Sequence, residues 1–145
     1  MIEKIIFFLH FACTFMMLGI IWFVQIAHYP LLKYIGKKEF KDYEKNYNKT
    51  IMPVAILILS LELLTGILLI WIRPLQIPIF YVIFGLFLIG VIWLSTWALQ
   101  VPAHLRLQDN FNNKCHKLLV KTNWIRTLAW TLRALLMVIM LNFLF

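Results

Sequence analysis

The chain has 145 residues, 63% of them hydrophobic and 14% charged, with a formal net charge of +8. A soluble domain carries roughly 45–50% apolar and about 25% charged residues. The composition therefore excludes a soluble or secreted domain, a nucleic-acid-binding domain and a disordered chain, and the length fits a single domain over residues 1–145.

The apolar residues fall in four runs of 20 to 23, Ile5–Val24, Ile51–Ile72, Pro78–Leu99 and Asn123–Phe145. A bilayer core about 30 Å thick takes roughly 20 apolar residues in a helix. The expected fold is all-α, an integral membrane bundle of four transmembrane helices over residues 5–28, 51–72, 78–101 and 123–145. The first run is long and lacks a small-residue cleavage pattern, so it is read as a span. At about 100° per residue, His10, Thr14, Met17, Gln25 and His28 share one of its faces. The first connection holds Lys33, Lys37, Lys38, Lys41, Lys45 and Lys49. Its Phe40, Tyr43 and Tyr47 recur at i, i+3 and i+7, which predicts a short interfacial helix over 37–47 with the lysines in water.

The second span aligns Glu62, Thr65, Gly66 and Leu69. Arg73 to Ile77 reads as a tight turn, with Pro74 ending one helix and Pro78 opening the next. The third span carries Trp93, Trp97, Gln100 and His104 as a stripe, with Pro102 near its end. The third connection, Val101 to Thr122, mixes leucines with Arg106, Lys114, Lys117 and Lys121 and reads as a second amphipathic surface segment. The fourth span aligns Asn123, Arg126, Trp130, Arg133 and Met137. Connections one and three carry ten Lys/Arg, against Lys4 and Arg73 on the other side. The positive-inside rule makes the lysine-rich side cytoplasmic, with both termini outside, in a bacterial inner membrane. Cys13 and Cys115 show no disulfide or CxxC pattern. An internal echo joins Gln25-Ile-Ala-His28-Tyr-Pro30 to Gln100-Val-Pro102-Ala-His104, as a duplicated helical hairpin would leave.

Polar residues facing lipid are expensive, so the four polar faces are expected to meet inside the bundle. At 1.5 Å per residue, Glu62 and Arg133 both lie roughly 14–17 Å deep and form the natural ion pair. Arg126 lies roughly 6 Å in, level with Gln25 and Gln100, while His28, His104 and Asn123 sit at the mouth. The expectation is a funnel open to the cytoplasm with a charged floor at mid-bilayer. Plainer readings stand beside this one. The ion pair fixes helix register, the histidines bond helix-end carbonyls, His10 and the Trp93–Trp97 stripe are packing, and Gly66, Gly85 and Gly90 allow close helix contact.

No nucleophile constellation, phosphate loop or HExxH motif is present. Two histidines on facing helices suit the axial positions of a haem, which points to His28 and His104 with Arg126 and Arg133 for the propionates. His28, His104 and His116 form the candidate transition-metal set. A metal-free reading has Arg126, Arg133, Gln25, Gln100 and Asn123 around a flat amphiphile such as a quinone. Trp97 is then its wall, Glu62 the countercharge, and His28 or His104 the proton carrier.

The segment Trp22-Phe-Val-Gln25-Ile-Ala-His28-Tyr29-Pro30, with Gln100-Val-Pro102-Ala-His104 and Asn123-Trp124-Ile-Arg126-Thr127-Leu-Ala-Trp130-Thr-Leu-Arg133, resembles a group of small uncharacterised bacterial four-span membrane proteins. In length and layout the chain is also similar to the anthrone oxygenase-like membrane family, which implies oxidation of a flat aromatic substrate. His10 in the first span, with Tyr29-Pro30 at its inner end, resembles HemJ-type protoporphyrinogen oxidases, which implies haem and marks His10. The expected function is a membrane oxidoreductase or cofactor-binding protein acting on haem, a quinone or a flat aromatic amphiphile. The competing expectation is a non-catalytic small transporter or an accessory subunit. The expected partners are the lipid bilayer, a hydrophobic or amphiphilic small molecule and, for a transporter of this size, a second copy of the chain.

Overall fold

The computed structural model describes residues 1–36, 38–109 and 111–145, and only the backbone of Asp109. It holds four helices, α1 (Ile2–Tyr34), α2 (Phe40–Leu68), α3 (Ile79–Gln108) and α4 (Asn113–Asn142), each long and apolar enough to cross a membrane. No strand occurs among the described residues. Each helix packs on its chain neighbours, and α4 packs back on α1, so the four form a ring in chain order. The protein is an all-α integral membrane bundle. Its outer surface carries Phe8, Phe23, Ile26, Phe80, Phe87, Leu94, Leu128 and Leu135, while His10, Glu62, Asn123 and Arg133 are buried. That is the polarity a bilayer selects, because acyl chains solvate leucine and not charge.

The helices at the lysine-rich end run well past the apolar runs. The short interfacial helix expected over 37–47 is the start of α2, continuous with the second span, and Lys37 lies outside the described residues. Phe40 and Glu44, one turn apart, face the axis and are fully buried, whereas Tyr43 is 39% exposed. The third connection is also mostly helix. It splits between the end of α3 and the start of α4, whose first turn is capped by the Asn112 carboxamide oxygen. That oxygen accepts from the amides of Lys114 (2.8 Å) and Cys115 (3.3 Å). Tyr29, Leu32, Phe40, Ala103, Leu107 and Leu119 then pack into a separate small core above the membrane runs. At the opposite end the turn after α2 is closed by Arg73, whose side chain donates to the carbonyls of Ile77 (3.0 Å) and Ile70 (3.3 Å).

Two π turns interrupt the helices, at Val24–His28 in α1 and Thr96–Gln100 in α3. Each lies just ahead of a proline, Pro30 or Pro102. A proline ring collides with the carbonyl four residues back and offers no N–H to it. Widening the preceding turn removes the conflict: the Tyr29 amide bonds the Val24 carbonyl and the Val101 amide bonds that of Thr96, each five residues back. The echo in the sequence thus has a structural counterpart. Of the three glycines expected to permit close contact, Gly66 does so, since a Cβ there would stand 3.1 Å from His10 and 3.2 Å from Ile89 and Leu86. A Cβ on Gly85 would make ordinary contact, and one on Gly90 would meet nothing.

Candidate functional site

The buried polar residues form two groups at different depths. The deeper one is centred on Glu62 and Arg133. Arg133 Nε donates to Glu62 Oε1 (3.0 Å), Nη1 to the Gly85 carbonyl, and Nη2 to His10 Nε2 (3.0 Å) and Thr14 Oγ1 (3.3 Å). Glu62 also accepts from Thr14 (2.8 Å) and from Trp130 Nε1 (3.1 Å). Because His10 Nε2 faces an arginine, which only donates, its proton sits on Nδ1 and is given to Thr65 (2.8 Å). All four helices contribute, and none of the side chains is more than 3% exposed. The expected pair Glu62–Arg133 is present. It is sealed, and every nitrogen of Arg133 is engaged within the bundle.

The second group lies at the lysine-rich end and is hung on the π turns. Gln25 accepts from Asn123 Nδ2 (2.8 Å) and Thr127 (3.3 Å). Asn123 Oδ1 in turn accepts from Arg126 Nε (2.9 Å). Arg126 also donates to Thr96 (3.4 Å) and to the Tyr29 hydroxyl (3.2 Å). Gln100 is held by Ser95 (3.1 Å) and Thr122 (3.3 Å). The Tyr29 hydroxyl meets His104 Nε2 at 2.9 Å, and His104 Nδ1 is hydrogen-bonded to Glu44 Oε1.

A cavity of about 110 Å³ opens beside this group. Its walls are apolar, with Met17, Ile21, Met52, Leu59 and Val101 among them, and Trp130 is at its inner end. Its polar lining residues are Tyr29, Tyr47, Asn48, Thr96, Gln100, His104 and Arg126. Ile51 and Ile56, 38% and 51% exposed, are lining residues on the outer surface of α2, so the cavity reaches the flank of the bundle.

Of the residues singled out from the sequence, Gln100, His104 and Arg126 line this cavity, and Gln25 and Asn123 stand behind Arg126 and hold it. Glu62, Arg133 and His10 do not line it, so the expected charged floor is replaced by the Trp130 ring with Glu62 behind it. Trp97 is no wall: it is 61% exposed and points away. The π turn explains this, because each residue of a wider turn advances by less than 100°, so Gln100 turns inward as Trp97 swings out. His28 stacks on Tyr47 at 4.0 Å between ring centroids, beside the cavity and not in it.

The three-imidazole set is not assembled. His116 Nε2 bonds the Tyr29 carbonyl at 2.7 Å, and both ring nitrogens of His104 already have protein partners. No group of three or more His, Cys, Asp or Glu among the described residues gathers as a metal would require. The same two bonds leave His104 no free lone pair for an iron, so the His28–His104 axial pair does not fit a haem. Cys13 and Cys115 are both free thiols.

Sequence reasoning missed Tyr29, Tyr47 and Glu44. Glu44 carried a readable signal, being one turn after Phe40 and nearly one before Tyr47, on the aromatic face and not the lysine face. No protein-family model, curated protein or solved structure matches the chain.

Proposed function

We propose that the protein binds, in the cavity at its lysine-rich end, an amphiphile with an apolar body and a carbonyl-bearing or anionic head. The class is that of quinones and flat aromatic compounds, and the protein acts on it as a membrane oxidoreductase or cofactor-binding protein. The observation that carries this reading is Arg126. It lines the cavity, its partners Asn123, Thr96 and Tyr29 are neutral, and no carboxylate bonds it among the described residues. A guanidinium in apolar surroundings is costly without a countercharge, and a ligand oxygen would supply one. An apolar cavity of about 150 Å³ takes a benzene ring, so the space suits one ring or a stretch of chain and not a whole haem. The sealed layer of Glu62 and Arg133 closes the bundle axis, which favours a site over a solute path. The lysine-rich end is cytoplasmic on this reading, by the positive-inside rule, and both termini lie across the inner membrane. The likeness in layout to the anthrone oxygenase-like family agrees with a flat aromatic ligand.

Trp130 lines the cavity, so a short-chain quinone titrated into the detergent-solubilised protein should quench tryptophan fluorescence saturably. Arg126→Leu should weaken that binding about tenfold, the loss of one hydrogen bond from a charged donor. Quenching that never saturates, or that is identical in Arg126→Leu, overturns the proposal.

A further inference from the structure

Four side chains, one from each helix, stand in a line beside the cavity. Arg126 Nη2 is 3.2 Å from the Tyr29 hydroxyl oxygen, that oxygen is 2.9 Å from His104 Nε2, and His104 Nδ1 is bonded to Glu44 Oε1. An arginine can only donate and an ionised carboxylate can only accept. With His104 as the neutral imidazole, its two ring nitrogens take opposite roles, one donor and one acceptor, which orders the line. Arg126 donates to Tyr29, Tyr29 donates to His104 Nε2, and His104 Nδ1 donates to Glu44. Arg126, Tyr29 and His104 line the cavity, while Glu44 is fully buried behind His104. Glu44 Oε2 has no partner among the described residues, so this carboxylate is less fully engaged there than that of Glu62. The titratable neighbours of the line among the described residues include His28 from α1 and Tyr43 and Tyr47 from α2, stacked together, and His116 from α4, bonded to the Tyr29 carbonyl.

We infer that this line is a proton acceptor for a phenol-type head group in the cavity. The inference rests on the cavity being a ligand site. The ligand O–H bond breaks and its proton bonds to the Tyr29 oxygen. In the same step the Tyr29 proton moves to His104 Nε2. His104 becomes an imidazolium held by the Glu44 carboxylate, and the ligand is left as a phenolate facing Arg126. One proton is transferred and no electron moves. Tyr29 is the residue that touches the ligand; His104 and Glu44 act through it, a base and the carboxylate that orients it.

A nitrophenol bearing a short alkyl chain tests this, because its phenolate is yellow and its phenol is not. It is titrated with pH in the solubilised protein and in empty detergent micelles. Wild type should bind the probe and lower its ionisation midpoint by about one pH unit or more, a tenfold preference for phenolate. Tyr29→Phe and Glu44→Gln should return the midpoint at least halfway, and Tyr29→Phe, which also loses the hydrogen bond accepted from the neutral probe, should weaken its binding by up to about tenfold. Tyr81→Phe, at the other end of the bundle, controls for loss of a phenol. Tyr29→Phe removes one oxygen and keeps the ring, so it decides the matter if Glu44→Gln does not fold. A probe that binds saturably and titrates alike in wild type and Tyr29→Phe overturns the proton line and leaves the ligand site standing. A probe that does not bind, together with unsaturable quinone quenching, overturns both.

Discussion

Arg133 donates to Glu62, Gly85, His10 and Thr14, whereas Arg126, seven residues earlier on α4, donates among the described residues to neutral side chains. The difference sets what each mutation does. Removing one partner of a buried ion pair strands the other charge, which costs about 3–5 kcal/mol, whereas replacing both by apolar residues is often near neutral. Arg133→Leu is therefore expected to destabilise by about that amount, and Glu62→Leu with Arg133→Leu to recover part of it. Thermal unfolding in detergent measures both, and a double variant no more stable than the single would refute the pairing. Arg126→Leu strands no charge but leaves the buried Asn123 carboxamide oxygen without its donor, so it should cost less, about 1–3 kcal/mol, and reduce ligand affinity. The pairing of Glu62 with Arg133 was legible in the sequence because depth and face are both linear functions of residue number in a regular helix. The second partners, Trp130, Thr14 and the Gly85 carbonyl, depend on helix rotation and were not.

At the scale of the element, the π turns decide which side chains reach the site. Gln25 and His28 lie on the first and Gln100 on the second, with His104 one turn beyond. Restoring an N–H at Pro102 removes the reason for the wide turn, because the Ala98 carbonyl regains its donor and loses its clash. Pro102→Ala is thus expected to keep or raise the melting temperature while turning Gln100 and His104 off the cavity, lowering quinone affinity. Circular dichroism and the quenching titration read the two effects separately. Unchanged affinity with unchanged helicity would show that the proline does not set the phase. The repeated Gln, His and Pro could be seen in the sequence, but the change of phase they impose could not. That is why Trp97, counted at 100° per residue, was placed on the wrong face. The extension of α2 back to Phe40 was hidden for a different reason. Hydropathy marks the part of a helix that sits in lipid and is silent about the turns that continue beyond it.

For the whole molecule, the ten basic residues at one end predict an orientation that the packing itself does not decide. A C-terminal alkaline phosphatase fusion should be active in a bacterial host and a C-terminal green fluorescent protein fusion dark. The opposite result would put the cavity on the outer side of the membrane. The amino-acid sequence by itself determined the number of spans, the all-α class and the inward turn of the polar faces. These follow from the transfer energy of each residue between water and lipid, a property carried residue by residue. Only the tertiary structure decided that the polar residues divide into a sealed cluster and a second group beside an open cavity. It also decided that Glu44, Tyr29 and His104 come into line. Both outcomes depend on the relative rotation of four helices, set by glycine contacts, prolines and π turns acting together, which no single stretch of sequence encodes.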